Sequence, residues 1–468
     1  MEVSGRDRLT LLAVVMLPML VWWAAFYPGT FTNDSLTVID QIRNGTWSNA
    51  NTNAYMTFVW FTSIGGSQWG LVALAQIILL ALGLASLGEV IIRAGIPRLL
   101  VMVAISVFAL LPQVGAFAVT MWKDVPSTAG VVMLASALLS QRVSRSSRRS
   151  TLWLAAAGAL LLGAFRWNGP IALVLLSVFV LFLERRSSLK FVAVLLGVAA
   201  MSVGTLLLPQ RMNLASSIPW QAVDNRNMHD IAYVYHERPR SFNDDHTELM
   251  AKVMPLERWS EGGSTCETTD VLYFQNILQL VPDSLQKIDE HQNEFRTLWR
   301  HTLREEPLLV AWSRLCRAGG VWSPVFFGKQ PTLGLVYLHS NDPELGRPGH
   351  FAGLERSLIR AVMVTSSSET SKTMTLNAML WTLVALLLAL VLRTRTFPRL
   401  FLQCLPVSVA VMFSIMLVTV AHDVRYVAGA LLLAQFFVGV SVLDWIWTRF
   451  CSNIRRPGAT EEKVATRT

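Results

Sequence analysis

Long apolar runs separated by short polar loops fill residues 1–208 and 373–450 of the chain. A helix that crosses a bilayer needs about 20 mostly apolar residues. Runs of that kind predict helices near 9–27, 70–92, 99–121, 126–141, 151–165, 170–184, 190–208, 374–392, 400–420 and 427–447, ten in all. Residues 209–372 break the pattern, with 20 acidic and 17 basic residues and no clean span. Within them, 306–325 and 353–364 have the spacing of amphipathic helices lying on a membrane surface. A re-entrant segment is the alternative for 306–325, where Arg314 and Arg317 argue against a simple span. The pattern predicts an all-α polytopic membrane protein with about ten transmembrane helices and a mainly helical insertion. Its parts are a membrane domain over 1–208 with a loop at 27–69, a polar domain over 209–372, a second membrane domain over 373–450 and a tail over 451–468.

Composition agrees with this reading. The chain is 53% hydrophobic and 15% charged, with mean hydropathy +0.44, whereas soluble domains carry about 25% charged residues. Its net charge of +9 lies in short loops, not in one patch, which makes nucleic-acid binding a poor reading of it. Arg6 and Arg8, Arg93 and Arg98, Arg142 to Arg149, Arg185 with Arg186 and Lys190, Arg393 to Arg399, and Arg449 to Arg456 all fall on one side if the ten spans hold. By the positive-inside rule that side is the cytoplasm, so both termini are cytoplasmic and 209–372 is extracytoplasmic. Trp22, Trp23, Trp122, Trp167, Trp445 and Trp447 sit near predicted helix ends, as an interfacial belt would. The start has no small-residue cleavage pattern and reads as a retained first helix; the tail reads as disordered. An oxidising exterior permits a Cys266–Cys316 disulfide, for which sequence supplies no geometry. His229, His236 and His246 read as solvated residues spaced too loosely for a metal motif.

The candidate chemistry lies in the short loops opposite the arginine-rich side. WKDVP (Trp122 to Pro126), FRWNGP (Phe165 to Pro170) and HDVRY (His422 to Tyr426) each carry a cation where such loops normally lack one. With FTNDS (Phe31 to Ser35) they form a layer of Asp34, Lys123, Asp124, Arg166, His422, Asp423 and Arg425. Cations beside a carboxylate suit a phosphate and a base. Each member also has a plainer reading. Lys123–Asp124 and Asp423–Arg425 can be local ion pairs, Arg166 can snorkel to headgroups, and Asn33 or Asp34 can cap a helix over NDSLTVID.

Together these loops resemble the GT-C superfamily of integral-membrane glycosyltransferases, which take sugars from polyprenyl phosphates. The resemblance rests on YPGTFTNDS, WKD, FRWNG and HDVRY, and covers the apolar scaffold but not 209–372. It implies an inverting transfer to an extracytoplasmic glycan, lipid or protein in a cell envelope. Asp34 would be the general base, Arg425 with His422, Lys123 and Arg166 the donor-phosphate contacts, and Asn33, Asp124, Asn168, Asp423 and Tyr426 positioning residues. Relatives carry a His-Pro pair later in the first loop; here WSNANTNAY (Trp47 to Tyr55) has none, and Asn51, Asn53 and Tyr55 are the polar substitutes. Some members use a divalent metal with an acidic pair; Asn33–Asp34 lacks the second acid, which weighs against a metal or other cofactor. The rival readings are a transporter or flippase of a lipid-linked or anionic substrate, and a non-catalytic envelope scaffold. Charges gathered at span ends weigh against transport.

Overall fold

The computed structural model describes residues 3–48, 51–143, 148–184, 189–212, 224–273, 281–324, 345, 351–365, 368–392, 396–418 and 424–454. Among them the chain is helical, with no strand; Thr30 and Thr120 form an isolated parallel bridge. The first part is α1 (Gly5–Ala25), α2 (Asn33–Asn44), α3 (Asn53–Thr62), α4 (Gly70–Arg93), α5 (Arg98–Leu110), α6 (Pro112–Val119), α7 (Asp124–Val143), α8 (Arg148–Phe165), α9 (Gly169–Glu184) and α10 (Leu189–Arg211). The polar part holds α11 (Asn225–Glu237), α12 (Asp244–Val253), α13 (Leu256–Gly262), α14 (Asp270–Tyr273), α15 (Ser284–Glu290), α16 (Gln292–Glu305), α17 (Pro307–Arg317), α18 (Gly319–Trp322), α19 (Ala352–Thr365) and α20 (Glu369–Leu376). The chain then returns through α21 (Ala378–Val391), α22 (Thr396–Val418) and α23 (Val424–Ile454).

Among the described residues, five helices are long and apolar enough to cross a membrane: α1, α4, α10, α22 and α23. A sixth is counted if α5 and α6 form one span. This is the make-up of a multi-pass helical membrane protein. The run 99–121, read as one helix, is broken into α5 and α6 with a bend of 65°. Leu111 precedes Pro112 and takes an extended conformation, since the proline ring excludes the helical one. Three further apolar helices, α8, α9 and α21, are shorter. The last helix runs on to Ile454, beyond the predicted end at 447.

Helix α7 is the axle of the bundle. Every residue from Asp124 to Ser140 is buried, against α4, α8, α22 and α23. Its seam with α8 is a backbone contact. A Cβ on Gly130 would lie 2.6 Å from the Gly158 carbonyl oxygen and 2.8 Å from the Leu162 nitrogen. Small residues let helix backbones approach in this way where lipid removes the hydrophobic drive. At one end of the bundle Arg98 pairs with Asp7, and Arg8 and Arg93 both pair with Glu89. Trp22, expected in an interfacial belt, is instead buried and stacked on Phe26.

The polar part has its own apolar core, with Trp259 stacked on Phe295 at 5.7 Å. Beside it lies a buried polar network. Asp230 on α11 accepts from Arg317 and Ser313 on one oxygen, and from Arg314 and Trp299 on the other. Its neighbour His229 is fully buried, which corrects its reading as a solvated residue. Arg317 donates to His229 Nδ1 at 2.6 Å, so the ring proton sits on Nε2 and is donated to the Thr265 carbonyl at 2.9 Å. The adjoining residues, Cys266 and Cys316, form a disulfide with Cα atoms 5.7 Å apart. Helix α17 is therefore fixed to α11 by charge and to the 265–266 loop by a covalent bond.

Burial first, then the Arg317 charge, pushes His229 down from 6.5 to about 3. Between those values the unfolded chain binds the proton that the folded chain refuses. The contribution is complete above pH 6.5 and is lost as pH falls toward 3, with a slope of at most about 1.4 kcal/mol per pH unit. His229→Gln keeps one donor and one acceptor without a titrating group. Its thermal unfolding should show a flatter pH dependence between pH 6.5 and 4 than the parent; parallel curves would remove His229 from this role.

Candidate active site

The site is assembled by a seam between two loops. Thr30 N–H donates to the Val119 carbonyl at 3.1 Å, and Met121 N–H donates back to the Thr30 carbonyl at 3.0 Å. The pairing needs Gly29, whose φ is +139° and whose Cβ, if present, would sit 3.1 Å from the Val119 carbonyl oxygen. Side chains extend the seam: the Thr30 and Thr120 hydroxyls lie 2.7 Å apart, Ser35 Oγ donates to the Met121 carbonyl at 2.8 Å, and Trp122 Nε1 donates to Thr32 Oγ1 at 2.8 Å. Trp122 is thus buried in the site and not part of an interfacial belt. Helix α2 is capped by Thr32, through a reciprocal box with Ser35. Asn33 and Asp34 are therefore the first helical residues and not the cap, which leaves the Asp34 carboxylate free for other partners.

That partner is Arg425, at the head of α23, which forms an ion pair with Asp34. The guanidinium also lies 5.5 Å from the Trp122 ring centre and 5.2 Å from that of Tyr426. A second pair, Arg166 with Asp124, is more deeply set, with side chains 11% and 1% exposed. Arg166 does not snorkel: its Nε donates to Asn168 Oδ1 at 3.1 Å, and Asn168 Nδ2 donates to Ser414 Oγ at 2.8 Å. Asp124 opens α7, where the helix N-terminus favours a carboxylate. Arg166 also lies 4.9 Å from the Tyr426 ring centre, so one aromatic ring serves both guanidinium groups.

Lys123 does not pair locally with Asp124; its Nζ donates to Asn51 Oδ1 at 3.0 Å. Burial holds its ammonium below the ordinary value, while Asp34 and Asp124 work to keep it charged. At Asp34, withdrawal from water works against the charge, but Arg425 and Lys123 prevail and hold the carboxyl below its usual range. Among the described residues, the two pairs and Lys123 set three cations beside the carboxylates of Asp34 and Asp124. Asn33 is exposed, and among the described residues no hydrogen bond joins its side chain to the cluster. His422 and Asp423 lie outside the described residues. Among the described residues no group of three or more His, Cys, Asp or Glu side chains is gathered that could hold a metal.

Two further residues belong here. Tyr55, one of the expected polar substitutes, is 1% exposed and wedged by Phe58 and Phe165. Its hydroxyl has no hydrogen-bond partner among the described residues, and burial, then Asp124 and Asp34, raise its pKa. Asp270 of the polar part, which nothing in its own sequence context marks, is within electrostatic reach of Arg425 and Asp34. Burial raises its carboxyl and Asp34 adds to the rise, against the Thr268 hydroxyl and Arg425. Comparison with known proteins adds no assignment: no protein-family model matches the chain, and neither does any curated protein or solved structure.

Two stability measurements check this geometry. Arg166→Gln leaves Asp124 buried without its cation, a loss of about 3–5 kcal/mol; adding Asp124→Asn should restore much of the melting temperature, whereas additive losses would mean the pair is not coupled. Tyr55→Phe removes only an unpartnered hydroxyl, so the melting temperature should match or exceed that of the parent. A fall of several degrees would mean that the hydroxyl has a structural partner.

Proposed function

We propose that the chain is an inverting GT-C-type glycosyltransferase that moves a sugar from a polyprenyl phosphate to an extracytoplasmic glycan, lipid or protein. The proposal includes ten spans in a plasma membrane, cytoplasmic termini, and a catalytic layer on the outer face. The observation that carries it is the gathering of Asp34, Lys123, Arg166 and Arg425 by four loops remote in sequence, at one end of an apolar helix bundle. A lipid-tethered phosphate reaches such a site from the side, and an acceptor hydroxyl reaches it from the aqueous face.

The resting ion pair sets the sequence of events. A donor phosphate competes with Asp34 for Arg425, and Lys123 is the second cation within reach of the same carboxylate. Once Arg425 turns to the phosphate, Asp34 loses its main charge partner, and its pKa rises toward the range of a useful base. Asp34 then takes the acceptor's hydroxyl proton, and the acceptor oxygen bonds to the anomeric carbon. The bond from that carbon to the phosphate oxygen breaks, and its electron pair stays on the departing polyprenyl phosphate. Arg425 and Lys123 stabilise the charge that accumulates there. Asp124, held by Arg166 and shut away from solvent, is a positioning group and not a nucleophile, which favours one displacement and inversion over a two-carboxylate route.

One observation favours a second reading. The break between α5 and α6 is of a kind that lines sites in transporters. The residues at the break, Leu111 and Pro112, are uncharged, however, and the ion pairs described above cluster at helix ends.

The test is sugar transfer by the purified chain in lipid, with a panel of polyprenyl-phosphate sugars. Asp34→Asn should lower kcat by about 10²–10⁴-fold with polyprenyl-phosphate binding kept, and Arg425→Ala should raise KM for the donor. Undiminished turnover in Asp34→Asn would remove it as the base, and vesicle counterflow without transfer would establish the transporter instead.

A further inference from the structure

Helix α17 has two faces of opposite character. Val310, Ser313, Cys316 and Arg317 are buried in the polar part, fixed by the disulfide and by Asp230. Leu308, Trp312 and Leu315 lie on the other side, 83%, 45% and 37% exposed. Their spacing of four and three residues places them in one stripe, which Pro307 and Ala311, both exposed, widen. No charged side chain interrupts it, and protein meets it on its flank, where Trp312 meets the Tyr233 hydroxyl and Trp322 Nε1 donates to the Leu315 carbonyl.

The surroundings indicate what does cover it. Only Ala318 separates α17 from α18, which packs on α21, α22 and α23. The next residue, Ser323, accepts from Asn377 Nδ2 at 3.1 Å, and Asn377 is the cap of apolar α21. Arg226 of α11 donates to the Leu417 carbonyl near the end of α22, a helix apolar enough to cross a membrane. Helix α17 thus leaves the polar part at the level where the bundle's apolar helices end. Their outward residues are also exposed and apolar, Leu383, Leu387 and Leu390 on α21 among them.

We infer that α17 lies in the membrane interface, with Leu308, Trp312 and Leu315 sunk among the lipid headgroups and upper acyl chains, so that the bilayer is the docking partner of the polar part. A tryptophan between two leucines suits that depth: the ring is an apolar body for the interface, and its N–H is met by Tyr233. The anchorage holds the polar part, and Asp270 with it, over the cluster of Asp34 and Arg425. It depends on the chain being a membrane protein and not on the transfer reaction, so either can fail alone.

Nitroxide accessibility tests it on the full chain. In a Cys451→Ser background the disulfide and buried Cys404 remain, and Leu308→Cys, Trp312→Cys, Leu315→Cys and the exposed reference Arg304→Cys are spin-labelled one at a time in phosphatidylcholine vesicles. Collisions with oxygen, which concentrates in lipid, are compared with those of a neutral nickel chelate, which stays in water. The oxygen-to-nickel ratio should be several-fold higher at 308, 312 and 315 than at 304, at a depth of about 5–10 Å. A ratio equal to that at 304 would place the stripe in water. Low collision rates with both probes would mean that protein covers it, either a second copy or another segment of this chain. Either result overturns the inference.

Discussion

Two backbone hydrogen bonds between Thr30 and the Val119–Met121 stretch hold the site together. They are non-local, and they join the loop after α1 to the loop after α6. Buried peptide groups must find partners, and here each loop satisfies the other. The exchange sets the direction in which α2 starts, and hence where Asp34 points. It also holds Lys123 and Asp124 at the mouth of α7. Gly29 permits the approach, since its conformation and the nearby carbonyl both exclude a side chain. Without this seam the first loop would have no fixed position relative to the cations.

The two ion pairs differ in a way that separates structure from chemistry. The Asp124 side chain is 1% exposed and that of Asp34 is 48% exposed. Asp124, with Arg166 and Asn168, ties α7, α8, α9 and α22 together and is closed to any ligand that does not first break the fold. Asp34 is open on one side and held by a guanidinium that is itself flanked by rings. Only the second pair can exchange partners at modest cost. Charge alone would not have told them apart; burial does.

The scaffold was legible because its signal is local. Apolar length marked a helix at each of the ten runs, and the polar stretch stood out from them. The break at Leu111 was also written in the chain, as a residue before proline, but the continuous apolar run hid it. The site was legible as a set of loops and not as a set of pairs. Asp34 has no cation beside it in sequence, yet Arg425 meets it across 391 residues. Asn51 as the partner of Lys123, and Asp270 as a neighbour of Asp34, depend on loop packing that no periodicity records. Thr32 took the capping role that Asn33 or Asp34 had been given, because the Thr32–Ser35 pair forms a box. His229 misled because its acidic neighbour suggested solvent, whereas the arginines that bury both lie in another helix.

Helix α7 depends on its neighbours for its place. From Asp124 to Ser140 it has no exposed side, and it is absent from the helices whose length and apolarity alone would carry them across a bilayer. Such a segment has little drive to partition from the insertion machinery by itself. Its glycine seam with α8 requires that neighbour to be present before the backbone can settle. The place of α7 is therefore partner-dependent, and the carboxylate at its head reaches its arginine only when α8 and the loop after it are in position.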